Sequence, residues 1–160
     1  MNTAYLALGT NLDDKVLNLN EAIKEIKKRI GSVVSQSAFY TSEPWGFDSD
    51  NRFVNAVIAV ETDLNPLELL RKTQEIEIDL GRTQKSENQV YADRIIDIDL
   101  LLIGQIEFQN EVLTLPHPHI LERDFVYIPL AEIAPQLIHP VFKKKITELI
   151  LAKHTLEKLK

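Results

Sequence analysis

Apolar residues recur along this chain in two rhythms, and the rhythm changes wherever glycine, proline or a polar cluster interrupts it. Thr3 to Leu8 is a short apolar run closed by Gly9, which predicts a buried strand. From Asp13 or Asp14 the spacing turns helical: Val16, Leu19, Ile23, Ile26 and Ile30 fall three or four apart, and Gly31 is placed to end the helix. Val33 to Tyr40 predicts a strand, Thr41 to Asn51 a loop, and Phe53 to Thr62 a stronger strand. Asn65-Pro66-Leu67-Glu68 joins a capping box to proline at the first helical position. It opens a helix whose stripe is Leu67, Leu70, Ile76 and Leu80, and Gly81 closes it. Residues 82 to 94 have no period and read as a polar surface loop, after which IIDIDLLLIG is a buried strand interrupted by two aspartates.

The order β-α-β-β-α-β predicts an α+β chain of ferredoxin-like class, an antiparallel sheet with two helices packed on one face. The last third is less regular. Leu113 to His119 is extended and proline-rich, Val126 to Ile133 is apolar and partly helical, and Ile146 to Lys160 is a terminal helix. No stretch reads as a linker, so one domain spanning residues 1–160 is expected.

Composition narrows the chemistry. With 18 basic against 24 acidic side chains the formal charge is −6, and the isoelectric point near 5.2 disfavours duplex nucleic acid as a partner. There is no cysteine, which excludes disulfide scaffolds, thiolate zinc sites, iron–sulfur clusters and cysteine nucleophiles. The longest apolar run, around Leu100 to Ile103, is far short of the roughly 20 residues that span a bilayer. The opening MNTAYLALGTNLDD has no basic region and does not read as a signal peptide, so a cytoplasmic protein with no membrane partner is expected.

The most informative pattern is Asp97-Ile98-Asp99 inside an apolar strand. Side chains two apart on a strand leave on one face, roughly 6 to 7 Å apart, while Ile96, Ile98 and Leu100 leave on the other. Two like charges on one face repel unless a cation lies between them, and magnesium takes one or two carboxylates plus substrate phosphates. Alternatively each aspartate pairs with an arginine or faces water. Arg82, Lys85 and Arg94 in the preceding loop can bring positive charge to that face, as phosphoryl transfer needs, or simply form a solvated loop. No Walker A and no Gly-x-Gly-x-x-Gly sequence is present, so a nucleotide would bind without a P-loop.

Weaker candidates surround these. His117 and His119 in PHPH can point two rings one way, but zinc needs a further ligand, and His139 and His154 stand in unrelated contexts. A hydrogen bond from His117 to a ligand, or plain surface packing, is the better reading. Phe53 and Asn55 share a strand face as an aromatic plate beside an amide, which suits a flat heterocycle, or else they are a core residue and a turn residue. Lys143, Lys144 and Lys145 read as a solvated basic turn.

Taken together, AYLALGTNL, FYTSEPWG, FVNAV, QEIEIDLGR, RIIDIDLLL and LPHPHILERDFV, in that order, resemble the 6-hydroxymethyl-7,8-dihydropterin pyrophosphokinase family over essentially the full length. The resemblance implies a ferredoxin-like α-β-α fold and transfer of the β,γ-diphosphate of ATP to the pterin hydroxymethyl oxygen, leaving AMP. By position, it implies that Asp97 and Asp99 hold two magnesium ions. Phe53 and Phe125 would sandwich the pterin, Asn55 would bind its edge, and Ser42 and Trp45 would offer groups to the same ligand. Gln74, Glu77, Ile98, His117 and Arg123 would line the ATP side, with Arg82 and Arg94 closing over the triphosphate and Asn11 supporting the loops.

The departures from the family pattern fall in the loop. A second arginine two residues after the first is common in the family, and Gln84 stands there; Ala92-Asp93 replaces a common Gly-Pro, and Tyr91 occupies the place of a covering aromatic. A slower or less tightly closing enzyme is the expectation these raise. The rival class is a pterin- or nucleotide-binding relative that does not catalyse transfer. A monomer is expected.

Overall fold

In the computed structural model, which describes residues 1–42, 52–81 and 95–150, the N-terminal apolar run lengthens to a nine-residue strand, β1 (Asn2–Thr10). After it come α1 (Lys15–Arg29), β2 (Ser32–Gln36), β3 (Tyr40–Ser42), β4 (Phe53–Thr62), α2 (Pro66–Leu80) and β5 (Asp97–Ile103). A small hairpin, β6 (Phe108–Gln109) and β7 (Thr114–Leu115), and helix α3 (Asp124–Ile133) complete the order, with residues 146–150 again helical. Trp45, Arg82, Gln84, Lys85, Tyr91, Ala92, Asp93 and Arg94, and the terminal helix and His154 beyond residue 150, lie outside the described residues.

Both predicted helix starts are built from local hydrogen bonds. Asp14 caps α1 by accepting from the Leu17 N–H at 3.1 Å. Asn65 and Glu68 cap each other's amides at 2.9 and 3.0 Å, and Gly81 is the C-cap of α2. The apolar stripes differ in detail from the periodicity. In α1 the buried set is Leu19, Ala22, Ile23 and Ile26, while Val16 in the first turn is 51% exposed. In α2 it is Leu69, Thr73 and Ile76, while Leu67 stays exposed. Thr73 can be buried because its hydroxyl donates to the Leu70 carbonyl at 2.8 Å, so a polar letter hides a core position.

The strand expected over Val33 to Tyr40 is two strands. Ser37 breaks it: its N–H donates to the Val57 carbonyl, and its buried hydroxyl accepts from the Val57 N–H at 2.9 Å and donates to the Ala38 carbonyl. A side chain thus replaces the ladder partner and the chain bends into β3.

The sheet runs β2-β4-β1-β5 with every pair antiparallel, and β3 pairs with β4 beyond the end of β2. This is the ferredoxin-like arrangement. One face packs Leu6, Leu8, Ile58, Ile98 and Leu100 against α1 and α2. The other packs Ala7, Val57 and Leu101 against Val126 and Leu130 of α3, so the layers are α-β-α. Because Ile98 and Leu100 face the first core, alternation turns Asp97 and Asp99 to the α3 side. Among the described residues no helix is long and apolar enough to cross a membrane.

Candidate active site

Strand register assembles the site. Asn55 of β4 pairs with Tyr40 of β3 on one side and with Gly9 of β1 on the other, and Gly9 pairs with Asp97 of β5. One row across four strands therefore reads Tyr40, Asn55, Gly9, Asp97. The row two residues along joins Val57, Ala7 and Asp99. With strands about 4.8 Å apart, Asn55 and Asp97 stand about 10 Å from each other on one face.

A cleft with about 570 Å³ of empty space, open to solvent, lies between this end of the sheet and the start of α3. Ser42, Phe53, Asn55 and Phe125 line its aromatic and amide half. Asp97, Asp99 and Arg123 line its charged half. Seven of the residues singled out in the sequence thus meet in one concavity. Asn55 is buried, and its Nδ2 donates to Ser42 Oγ at 2.7 Å, which orients the amide. Gly9 forms the floor and was not singled out in the sequence. A Cβ there would lie 3.1 Å from Asn55 Oδ1 and 3.5 Å from the Phe53 ring, so the glycine keeps room beside both. A glycine ending a buried strand was the visible signal.

In the charged half an arginine stands beside an aspartate. Arg123, whose side chain is 10% exposed, approaches Asp99 at 3.8 Å, longer than a direct charge-assisted hydrogen bond. Glu77 reaches across from α2, and its Oε2 accepts from the Ile98 N–H at 2.7 Å on the outermost strand. Burial first, and then the charges of Asp97 and Asp99, push its carboxyl up to about 8, against the opposing pull of the Ile98 amide. Glu77 therefore favours the protonated form near neutral pH and shares a hydrogen bond with Asp97. The Ile98 side chain is in the core, and Gln74 is exposed on α2 one turn before Glu77.

His117 lies outside the cleft wall. Its Nδ1 accepts from the His119 N–H at 3.1 Å, so the neutral ring carries its proton on Nε2 and presents a donor. Burial, aided by the charge of Arg123, lowers its pKa to about 4. The His119 ring turns to Glu122 at 2.5 Å, so the two histidines take different partners. Among the described residues no three His, Asp or Glu side chains converge on one metal position. The hard oxygens of Asp97 and Asp99 fit an ion completed by substrate oxygens rather than a protein-only cage. Trp45, Arg82 and Arg94 fall outside the described residues.

The chain can be set beside known proteins. A profile of the 7,8-dihydro-6-hydroxymethylpterin-pyrophosphokinase family matches residues 5–135. It is 48% identical over 141 residues to the 2-amino-4-hydroxy-6-hydroxymethyldihydropteridine pyrophosphokinase of Porphyromonas gingivalis, covering 88% of this chain and 95% of that one. The Haemophilus influenzae enzyme of the same name is 42% identical over 162 residues, covering 99% of each. Among solved structures, wild-type Plasmodium falciparum HPPK-DHPS superposes with a TM-score of 0.74 at 18% identity over 95% of this chain, a likeness of fold alone. This chain spans 44% of that longer protein. By profile and by identity along nearly its whole length, the chain belongs to the 7,8-dihydro-6-hydroxymethylpterin-pyrophosphokinase family.

Proposed function

We propose that this protein is a pyrophosphokinase of folate biosynthesis that moves the β,γ-diphosphate of ATP to the hydroxymethyl oxygen of 6-hydroxymethyl-7,8-dihydropterin and releases AMP. The observation that carries the reading is the divided cleft, with Phe53, Phe125 and Asn55 in one half and Asp97, Asp99 and Arg123 in the other. The pterin ring fits between the two phenyl rings, its amide-like edge against Asn55, whose orientation Ser42 holds. That pose sends the hydroxymethyl group along the row toward Asp97.

The reaction forms one oxygen–phosphorus bond at the β-phosphorus and breaks the bond from that phosphorus to the bridging oxygen that departs with AMP; the hydroxyl proton is lost. Catalysis of such a step is mainly positioning and charge neutralisation. Asp97 and Asp99 would hold magnesium, two ions in this reading, which when bound offsets phosphate charge and lowers the pKa of the hydroxyl. Arg123 adds buried positive charge beside the phosphates, and the neutral His117 offers its Nε2–H to a phosphate oxygen without needing to be charged. Gln74 and Glu77 border the nucleotide side, with the backbone of Ile98 between the aspartates. Trp45 contributes to the pterin side, and Arg82 and Arg94 supply further cations to the triphosphate. A single domain over residues 1–160, working as a cytoplasmic monomer, completes the reading.

The test is AMP formation from ATP and magnesium with and without the dihydropterin. Pterin-dependent AMP supports the enzyme. Pterin bound in calorimetry with no AMP released would replace it with a binding protein.

A further inference from the structure

Helix α3 brings Phe125 to the cleft and, seven residues or two turns later on the same side, Glu132 to the opposing strand. Both carboxylate oxygens of Glu132 are used there. Oε2 accepts from the Ala38 N–H at 2.9 Å, and Oε1 accepts from the Tyr40 phenol. Tyr40 opens β3, pairs with Asn55, and stands two residues before Ser42, so the two side chains leave on one face. Ser42 in turn pairs with Phe53 and accepts from Asn55. The contacts close a frame: Phe125 and Glu132 on the helix, Ser42 and Tyr40 on the short strand, Phe53 and Asn55 beside them on β4.

Along its length α3 rests on the sheet largely through Val126 and Leu130 against Ala7, Val57 and Leu101. Such apolar contact is not directional and does not by itself fix where a helix sits on a sheet. A carboxylate bonded to two donors of one short segment is directional and sets the helix against β3. We infer that Tyr40 and Glu132 form a positioning clamp that sets Phe125 against Phe53 and Asn55, and through that spacing tunes the affinity for the dihydropterin. The inference rests on the pterin site proposed above. Neither residue is part of the cleft wall, so both act through β3 and α3.

Steady-state kinetics of Tyr40→Phe, Glu132→Ala and their combination test it, with Phe53→Ala as a control for the site. Each single change is expected to raise the pterin KM about three- to tenfold, the scale of a lost hydrogen bond, with kcat and the ATP KM within about twofold. The double variant should be no worse than the poorer single, because the two residues share one contact. Glu132→Gln, which keeps a carbonyl acceptor, should fall between wild type and Glu132→Ala. Alanine on an exposed helical position preserves the helix, and thermal melts would confirm folding. Strictly additive effects, or a lowered Tm with an unchanged pterin KM, would overturn the clamp while Phe53→Ala still weakens pterin. An unchanged pterin KM in Phe53→Ala would overturn the pterin site and the clamp together.

Discussion

The Ile98 amide, which separates Asp97 from Asp99, donates to Glu77 Oε2 at 2.7 Å. A helix carboxyl thereby grips the edge strand between the two aspartates that line the cleft. Glu77 is a strongly perturbed acid, and the perturbation has consequences for stability.

Its carboxyl titrates near 8 in the folded chain against 4.5 ordinarily, so the folded state holds the extra proton between those values. Stability contributed by this group is then greatest at or below about pH 4.5 and declines as pH rises toward 8, by a few kcal/mol at most on a linkage scale of about 1.4 kcal/mol per pH unit. Urea denaturation of wild type and Glu77→Gln in chelator-treated buffer measures it. The gap between the two should change steadily across that window, in favour of the variant as pH rises; parallel profiles would refute the assignment.

Asp97→Ala and Asp99→Ala should each remove several kcal/mol of transition-state stabilisation, the scale of metal-assisted charge neutralisation. Pterin-dependent AMP release should fall by orders of magnitude while the pterin KM moves little. Near-normal turnover in either variant would sink the metal assignment.

Gly9→Ala places a methyl group 3.1 Å from Asn55 Oδ1. The amide must shift by a few tenths of an ångström, and its hydrogen bond to Ser42 suffers. The pterin KM is expected to rise about tenfold, near the loss of one hydrogen bond, with the ATP KM unchanged. Equal rises in both constants would mean the strand, rather than the pterin half, had been disturbed.

His117 should remain neutral, with its proton on Nε2, down to about pH 4. Because its folded pKa lies below the unfolded 6.5, the stability it contributes is present above pH 6.5 and is lost as pH falls toward 4. Nitrogen-15 spectra of the ring report both tautomer and titration. A midpoint near 6.5 would show that the ring is not buried in solution.

Much of the fold was legible because its signals are local. Period and punctuation located β4 to the residue, and the capping box of α2 was visible because its partners lie three residues apart. The pairing of Asp97 with Asp99 was legible for the same reason, since the two-residue repeat of a strand puts both on one face wherever the strand goes. Thr73 and Ser37 escaped, being polar residues whose burial depends on one hydrogen bond each.

The sequence by itself thus determined where β1, α1, β4, α2 and β5 form and which neighbouring side chains share a face, though not the break between β2 and β3 or the β6–β7 hairpin, because backbone geometry links residues only a few positions apart. Only the tertiary structure decided that Asn55, Gly9 and Asp97 form one row, that Phe125 and Phe53 line one cleft, and that Glu77 grips Ile98. Those meetings join positions tens of residues apart. Strand register and the burial of two apolar faces select them, and both are properties of the assembled sheet rather than of any segment.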